Sequence, residues 1–179
     1  MKIAPTSFPV TSILNTKQYN YADSFVGDIT DNENKIKAID VAKAFFSSAP
    51  QWVDKLFTLR NKIVRVFGLK TNDNNVNRAE LLANFKGEMG EQLGLFKVYN
   101  STQNEIVLGE DDKHLNFRVS LLVEQSSSVP FTKNIIITTT VEFNNWFGKL
   151  YFLPVRPFHK LIVPTMLKGI ITELQTQQH

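Results

Sequence analysis

The chain has 179 residues, of which 42% are hydrophobic and 21% charged, and its formal net charge is +3. This length suits one domain, and this apolar content is typical of a globular rather than a disordered chain. Lysine and arginine are spread along the sequence and form no basic patch, so we do not predict nucleic-acid binding. The absence of cysteine excludes disulfides and cysteine-ligated metal sites and fits a reducing compartment.

The sequence also predicts neither a membrane span nor a signal peptide. No apolar run approaches the roughly 18 residues that a spanning helix requires, and Pro5 and Pro9 break the N-terminal stretch. We therefore expect a cytoplasmic protein. Residues 1–17 are predicted to form a flexible N-terminal arm, and residues 18–179 a single domain.

In chain order, the pattern first predicts a strand over residues 18–29, a capping turn at 31–34 and a helix over 35–47. Ser47, Ser48 and Pro50 then break the chain before a second helix. Its apolar residues recur at helical spacing up to Gly68: Trp52, Leu56, Leu59, Ile63, Val66 and Phe67. These two helices form a predicted insert after the first strand.

A run of strands follows residues 79–95, which fit either a short helix or a loop. We predict strands over residues 95–99, 105–110, 114–124 and 132–143. The third strand has the clearest pattern, since its apolar residues occupy every second position: Leu115, Phe117, Val119, Leu121 and Val123. One face of this strand should therefore pack in the core, and the other should face polar surroundings.

The last third returns to helical spacing. Asn144-Asn145 is predicted to begin a helical segment that Pro154 and Pro157 interrupt, before a longer helix runs to about residue 175. Pro164 predicts a kink or short break in that helix. The apolar face predicted for it comprises Phe158, Leu161, Ile162, Met166, Ile170 and Leu174.

Because helices and strands are segregated along the chain, the sequence predicts an α+β fold. A curved antiparallel sheet would present one apolar face that strands alone cannot cover. The C-terminal helix is expected to cover that face.

Three stretches also carry a family resemblance. They are the helical run from Trp52 to Leu69, the turn from Gly109 to Arg118, and the stretch from Pro157 to Ile162. With them the chain resembles domain-of-unknown-function family 2867 from about residue 19 to 168. The resemblance implies a helix-grip, START-like fold, in which the sheet wraps the last helix and leaves a hydrophobic cavity. It implies no catalytic residues.

That expected cavity defines the candidate ligand-binding residues. Aromatic and aliphatic side chains could line it or simply form core, and an arginine could hold an anionic head group or form a structural ion pair with Glu105, Glu110 or Glu124. The residues predicted to bind ligand are Trp52, Leu56, Arg60, His114, Phe117, Arg118, Phe158 and Ile162.

His114 with Asp111 and Asp112 is the one cluster that suggests metal binding or acid/base chemistry. The same residues also suit a tight hairpin turn, which is the interpretation we favour. We therefore predict no catalytic residue, no metal and no cofactor.

Three functions stay open at this stage. The leading one is a carrier for a small apolar or amphipathic ligand, bound between the sheet and the C-terminal helix. The second is a cyclase- or dehydratase-like enzyme using His114 with a nearby acid. The third is a protein-interaction module with an exposed apolar patch, for which Trp146, Phe147 and Tyr151 are the candidates. The sequence indicates no oligomeric state.

Overall fold

The computed structural model describes residues 2–48 and 78–178. Its strands are β1 (Ile3–Pro5), β2 (Tyr21–Thr30), β3 (Gln92–Leu93), β4 (Phe96–Ser101), β5 (Glu105–Asp111), β6 (Leu115–Gln125) and β7 (Thr132–Phe143). Its helices are α1 (Ala38–Ser47), α2 (Arg78–Asn84) and α3 (Trp146–Thr176). The second helix predicted in the insert lies outside the described residues. Residues 79–95, which fitted either a helix or a loop, contain most of α2, a loop and β3.

The strands form one antiparallel sheet in the order β1-β2-β7-β6-β5-β4-β3. Strand β6 pairs with β7 over its whole length, from Leu115 opposite Phe143 to Gln125 opposite Lys133. The helices pack on the face that carries the alternating apolar residues of β6, as the pattern predicted. The α+β architecture is thereby confirmed, and its arrangement is consistent with a helix-grip fold.

The core lies between that face and the two longer helices. It includes Phe25 and Ile29 of β2, residues of α1 and β5–β7, and Leu167, Ile170 and Ile171 of α3, which are fully buried. Burying such aliphatic side chains stabilises the fold by about 1.5–3 kcal/mol each. The second half of α3 is thus packed directly onto the sheet.

The N-terminal segment covers part of the other face of the sheet. Ser120 of β6 is fully buried there. Both Ser120 and Ser12 of the N-terminal segment donate hydrogen bonds to Glu105 of β5. Ser12 and Leu14 of that segment are also buried. The polar surroundings predicted for this face are thus supplied in part by the protein itself, since Ser120 Oγ donates to Glu105.

The segment predicted as a flexible arm, residues 1–17, contacts the sheet at several places. Residues 3–5 form an edge strand, with Ile3 paired to Gly27, and Ser12 and Leu14 are buried. Several hydrogen bonds of this segment reach residues far along the chain, such as Glu105 and Glu142, so its loop-like composition did not reveal its packing.

Helix α3 also differs from its prediction. It begins after Asn145, which caps it as expected, but it continues without interruption through Pro154, Pro157 and Pro164. Pro154 and Pro157 are exposed, and a proline on the solvent side is accommodated when a helix bends away from it around the core. Within the described residues, no helix has the length and hydropathy needed to cross a membrane.

Candidate functional site between the sheet and the C-terminal helix

The predicted ligand-binding residues occupy several environments. Trp52, Leu56 and Arg60 lie outside the described residues. His114 and Phe117 line a crevice between the sheet and α3, and Ile162 is partly buried at the edge of the core. Phe158 is exposed, and Arg118 projects from the opposite face of the sheet.

The crevice exists because α3 begins against the β5–β6 turn. The main-chain N–H of Asn144 donates to the carbonyl oxygen of His114 at 2.9 Å, and the Asn145 side chain accepts from the N–H of Gly148 at 3.1 Å. Gly148 itself faces the turn, where a Cβ atom would lie 2.0 Å from the His114 carbonyl oxygen. Only glycine permits so close an approach.

Apolar side chains form both walls of the crevice. Leu115 and Phe117 of β6 face Phe147 and Tyr151 of α3, while the polar residues on the lining are Glu110, Asp112 and His114. The His114 and Phe147 rings lie 4.7 Å apart between centroids. The space between the walls is only about 20 Å³, which is room for about one water molecule.

Hydrogen bonding determines the neutral tautomer of His114. The Asn145 amide nitrogen donates to Lys113 and its oxygen accepts from Gly148, so the oxygen is the atom that faces His114 Nδ1 at 3.2 Å. Nδ1 must then carry the proton, and Nε2 carries a lone pair when the ring is neutral. In the neutral ring Nε2 is thus a hydrogen-bond acceptor, on a residue that lines an apolar crevice.

Asp111 and Asp112, the acids predicted to act with His114, have partners other than its ring in the described structure. Asp112 accepts a hydrogen bond from the His114 main-chain N–H at 3.3 Å, and Asp111 is paired with Arg118. Among the described residues, no group of three or more potential ligands could hold a metal ion. Strands β5 and β6 pair antiparallel on either side of this turn, which is the hairpin geometry favoured from the sequence.

Arg118 forms a structural ion pair, although its partner is not one of the three predicted glutamates. Its Nη2 donates to Asp111 Oδ1 at 2.7 Å, and its guanidinium lies 3.5 Å from the centre of the Tyr99 ring. Burial and then the hydrogen bond to Asp111 raise the pKa of Tyr99. Alternation along β6 places this cluster on the face away from α3.

A second polar cluster lies where α3 crosses β2. His159 Nε2 of α3 lies 3.2 Å from Asp23 Oδ1, and the Tyr21 hydroxyl donates to Asp23 Oδ2 at 2.6 Å. The Asp23 and His159 side chains are only 14% and 17% exposed. Burial, followed by the hydrogen bond to Asp23, raises the pKa of Tyr21.

Thr139 of β7 adds a buried hydroxyl to the same area. It pairs with Asp23 in the β2–β7 register, so both side chains project toward α3. Its Oγ1 has no hydrogen-bond partner in the described part of the chain, although the residue is only 4% exposed. A buried hydroxyl of this kind is unusual between a helix and a sheet, because most buried polar side-chain atoms have a hydrogen-bond partner.

Sequence reasoning missed this second cluster. The alternation of Tyr21, Asp23 and Phe25 did place an acid on the same face as core residues, which was a usable signal. Its partner, however, is 136 residues away on α3, and no local pattern links His159 to Asp23.

A wider groove lies at the other end of the sheet. Its volume is about 1040 Å³, but it is open and its lining is largely polar, with Asn34, Lys37, Gln103, Glu105 and Glu124 among its residues. It is not the hydrophobic cavity expected beneath α3.

Comparison with known proteins gives a family match but no function. A family model described as a protein of unknown function, DUF2867, matches residues 15–166. Neither the curated proteins nor the solved structures that were searched contain a match.

Proposed function

Since the chain belongs to the protein family of unknown function DUF2867, we propose its role from its geometry: it binds a small amphipathic ligand between the sheet and the first half of α3. The main support is the crevice itself, in which Phe117 and Leu115 oppose Phe147 and Tyr151. The apolar part of the ligand would lie between these walls. A donor group on the ligand would bond to His114 Nε2.

Binding in this position requires the crevice to widen. The second half of α3 is held by buried residues such as Leu167 and Ile171, so the movement falls to the first half. Pro154 and Pro157 have no main-chain N–H and remove two intrahelical hydrogen bonds there, which lowers the resistance to bending. Each 100 Å² of apolar ligand surface buried would then contribute about 2.5 kcal/mol.

Native mass spectrometry of the purified full chain, followed by titration with a fluorescent long-chain fatty acid, tests the proposal. We expect saturable binding that Phe147→Ala weakens by about tenfold, since a loss of 1.4 kcal/mol has that effect. Phe131→Ala is the matched control, because Phe131 is exposed on the β6–β7 loop. Arg118→Lys should also leave binding unchanged.

Two results would contradict the proposal. One is the absence of both a co-purifying ligand and saturable probe binding. The other is an equal effect of Phe147→Ala and Phe131→Ala, which would show that the crevice is not where the probe binds.

A second candidate is an enzyme of the cyclase or dehydratase kind. The observation in its favour is the Asp23–His159 pair, in which a carboxylate orients a histidine as in many acid/base sites. Here His159 takes the role predicted for His114, whose Nδ1 lies against the Asn145 amide oxygen. Mass analysis of the recovered ligand separates the two candidates, since a carrier returns it unchanged. For either function we propose a cytoplasmic location, which the absence of cysteine supports.

A further inference from the structure

Exposed apolar side chains are concentrated on the first half of α3. Five large ones are between 52% and 75% exposed, namely Trp146, Leu150, Leu153, Phe158 and Leu161. Trp146, Leu150, Leu153 and Leu161 recur at intervals of four, three and eight residues, so they form one stripe along the helix. We call these four residues the α3 stripe.

The other exposed large apolar residues of the described chain do not form such a surface. Val10 and Met89 lie in separate loops, and Val129 and Phe131 lie together in the short β6–β7 loop. Single exposed apolar residues are common on protein surfaces, whereas a continuous row indicates contact with another surface. The stripe is also distinct from the crevice, whose α3 wall is Phe147 and Tyr151.

The charges around the α3 stripe have one sign. No aspartate or glutamate occurs between Glu142 and Glu173. Within that interval the four cations Lys149, Arg156, Lys160 and Lys168 are all exposed. A surface that complements this helix must therefore combine apolar material with negative charge.

We propose that the α3 stripe docks the protein on the surface of an anionic lipid bilayer. A helix with tryptophan and leucine along one side and lysines beside them is suited to the boundary between head groups and acyl chains. The lysines would bind anionic head groups, and Trp146 would take the interfacial position that tryptophan favours. This proposal is independent of ligand binding in the crevice.

The geometry favours a bilayer over a second copy of the chain. The stripe from Trp146 to Leu161 spans about 22 Å at 1.5 Å per residue. Two copies meeting through this surface would place like charges opposite each other, which opposes association. A fluid bilayer needs no matching groove.

Co-sedimentation of the full chain with lipid vesicles tests the proposal. We expect binding to phosphatidylcholine vesicles that contain roughly 30 mol% phosphatidylglycerol, at least about tenfold weaker binding to phosphatidylcholine alone, and loss of binding at high salt. Leu150→Ser with Leu153→Ser, and Lys149→Glu with Lys160→Glu, should each weaken binding by about tenfold or more. Val129→Ser and Lys86→Glu are the matched controls, since both residues are exposed elsewhere.

A fluorescence measurement provides a second readout. The chain has two tryptophans, so Trp52→Phe leaves Trp146 as the only reporter. Its emission should shift to shorter wavelength with anionic vesicles. Thermal melts of every variant show whether a loss of binding reflects unfolding.

Three outcomes would overturn the proposal. The first is no binding to either vesicle by the folded wild-type chain. The second is binding that the stripe and lysine variants weaken no more than their controls do. The third is self-association in solution that Leu150→Ser with Leu153→Ser abolishes, which would assign the surface to a second copy instead.

Discussion

Gly148 and His114 are in main-chain contact where the first turn of α3 meets the β5–β6 hairpin. A Cβ atom at position 148 would lie 2.0 Å from the His114 carbonyl oxygen and 2.8 Å from its carbonyl carbon. Both atoms belong to the backbone, so no side-chain rotation can relieve the overlap. This contact fixes the position of the crevice.

Gly148→Ala should therefore lower the free energy of unfolding by about 1–3 kcal/mol, the usual effect of overpacking. Chemical denaturation measures this change. Lys149→Ala at the next, exposed position controls for a change of helix residue and should have little effect. Equal stability of Gly148→Ala and wild type would show that α3 does not approach the turn so closely.

Glu105 connects the N-terminal segment to the sheet. Its Oε1 accepts from Ser12 Oγ at 2.6 Å and from Ser120 Oγ at 2.5 Å, and its Oε2 accepts from the Ile13 N–H at 2.8 Å. The two serine hydroxyls could also accept from an amide NH₂, but Glu105→Gln replaces charge-assisted hydrogen bonds with weaker neutral ones. We expect a loss of about 1–3 kcal/mol and faster hydrogen exchange at the Ile13 amide.

Ser120→Ala is the control for this second prediction. It removes one donor and leaves the carboxylate bonded to residues 12 and 13, so the Ile13 amide should stay protected. If Glu105→Gln leaves Ile13 exchange unchanged, the carboxylate does not hold the segment.

The local sequence pattern was sufficient to predict an element where one side of that element is apolar and the other is not. The alternation of Leu115, Phe117, Val119, Leu121 and Val123 predicted both β6 and its core-facing side, and β7 has the predicted bounds of residues 132–143. Asn145 was also correctly placed at the start of a helix. In these segments the residue types and the packing require the same structure.

Helix α3 shows why the pattern failed elsewhere. It carries apolar residues around much of its circumference, so periodicity could not distinguish the side that packs on the sheet. Phe158 and Leu161 were assigned to that side but are exposed, whereas Val163, Leu167 and Ile171 are buried. Packing against the sheet determines which side of α3 is buried, and no pattern within the helix sequence indicates that side.

The candidate site depends on partners that are distant in sequence. The crevice joins β6 to the start of α3, and Asp23 meets His159 across 136 residues. His114 and Phe117 were predicted because a family resemblance suggested where a cavity would lie. The Asp23 cluster needed coordinates, because a single histidine on an amphipathic helix predicts no particular partner.

Asp31 makes stability depend on pH in the acid range. Its side chain is 2% exposed and pairs with Lys133 at 2.8 Å. Burial alone would raise its pKa, but bonds from Lys133 and from the N–H groups of Lys35 and Ile36 outweigh burial, so the pKa of Asp31 is lowered. The folded protein therefore binds fewer protons here than the unfolded chain does.

The Asp31 contribution should be fully present above the unfolded pKa of about 3.9 and lost as pH falls through the lowered folded value. Asp31→Asn leaves Lys133 buried without its counter-ion and should destabilise the protein by about 3 kcal/mol at neutral pH. Its unfolding free energy should then fall less steeply than that of wild type below about pH 4. Parallel slopes for the two proteins would contradict this account.

Tyr21 provides a test of the polar cluster beneath α3. Because its folded pKa is raised above 10.0, the folded state retains a proton that the unfolded chain releases, so the contribution to stability is present below about pH 10 and lost at higher pH. Asp23→Asn keeps a hydrogen-bond acceptor but removes the negative charge, while burial persists. The pKa of Tyr21 should therefore move only part of the way back toward 10.

Ultraviolet titration of tyrosinate measures this change, and subtracting the curve of Tyr21→Phe isolates the signal of Tyr21 from those of the other tyrosines. If the isolated group ionises near pH 10 in the folded wild-type protein, Tyr21 is not held against Asp23 beneath the helix, and the case for acid/base chemistry at His159 loses its geometric basis.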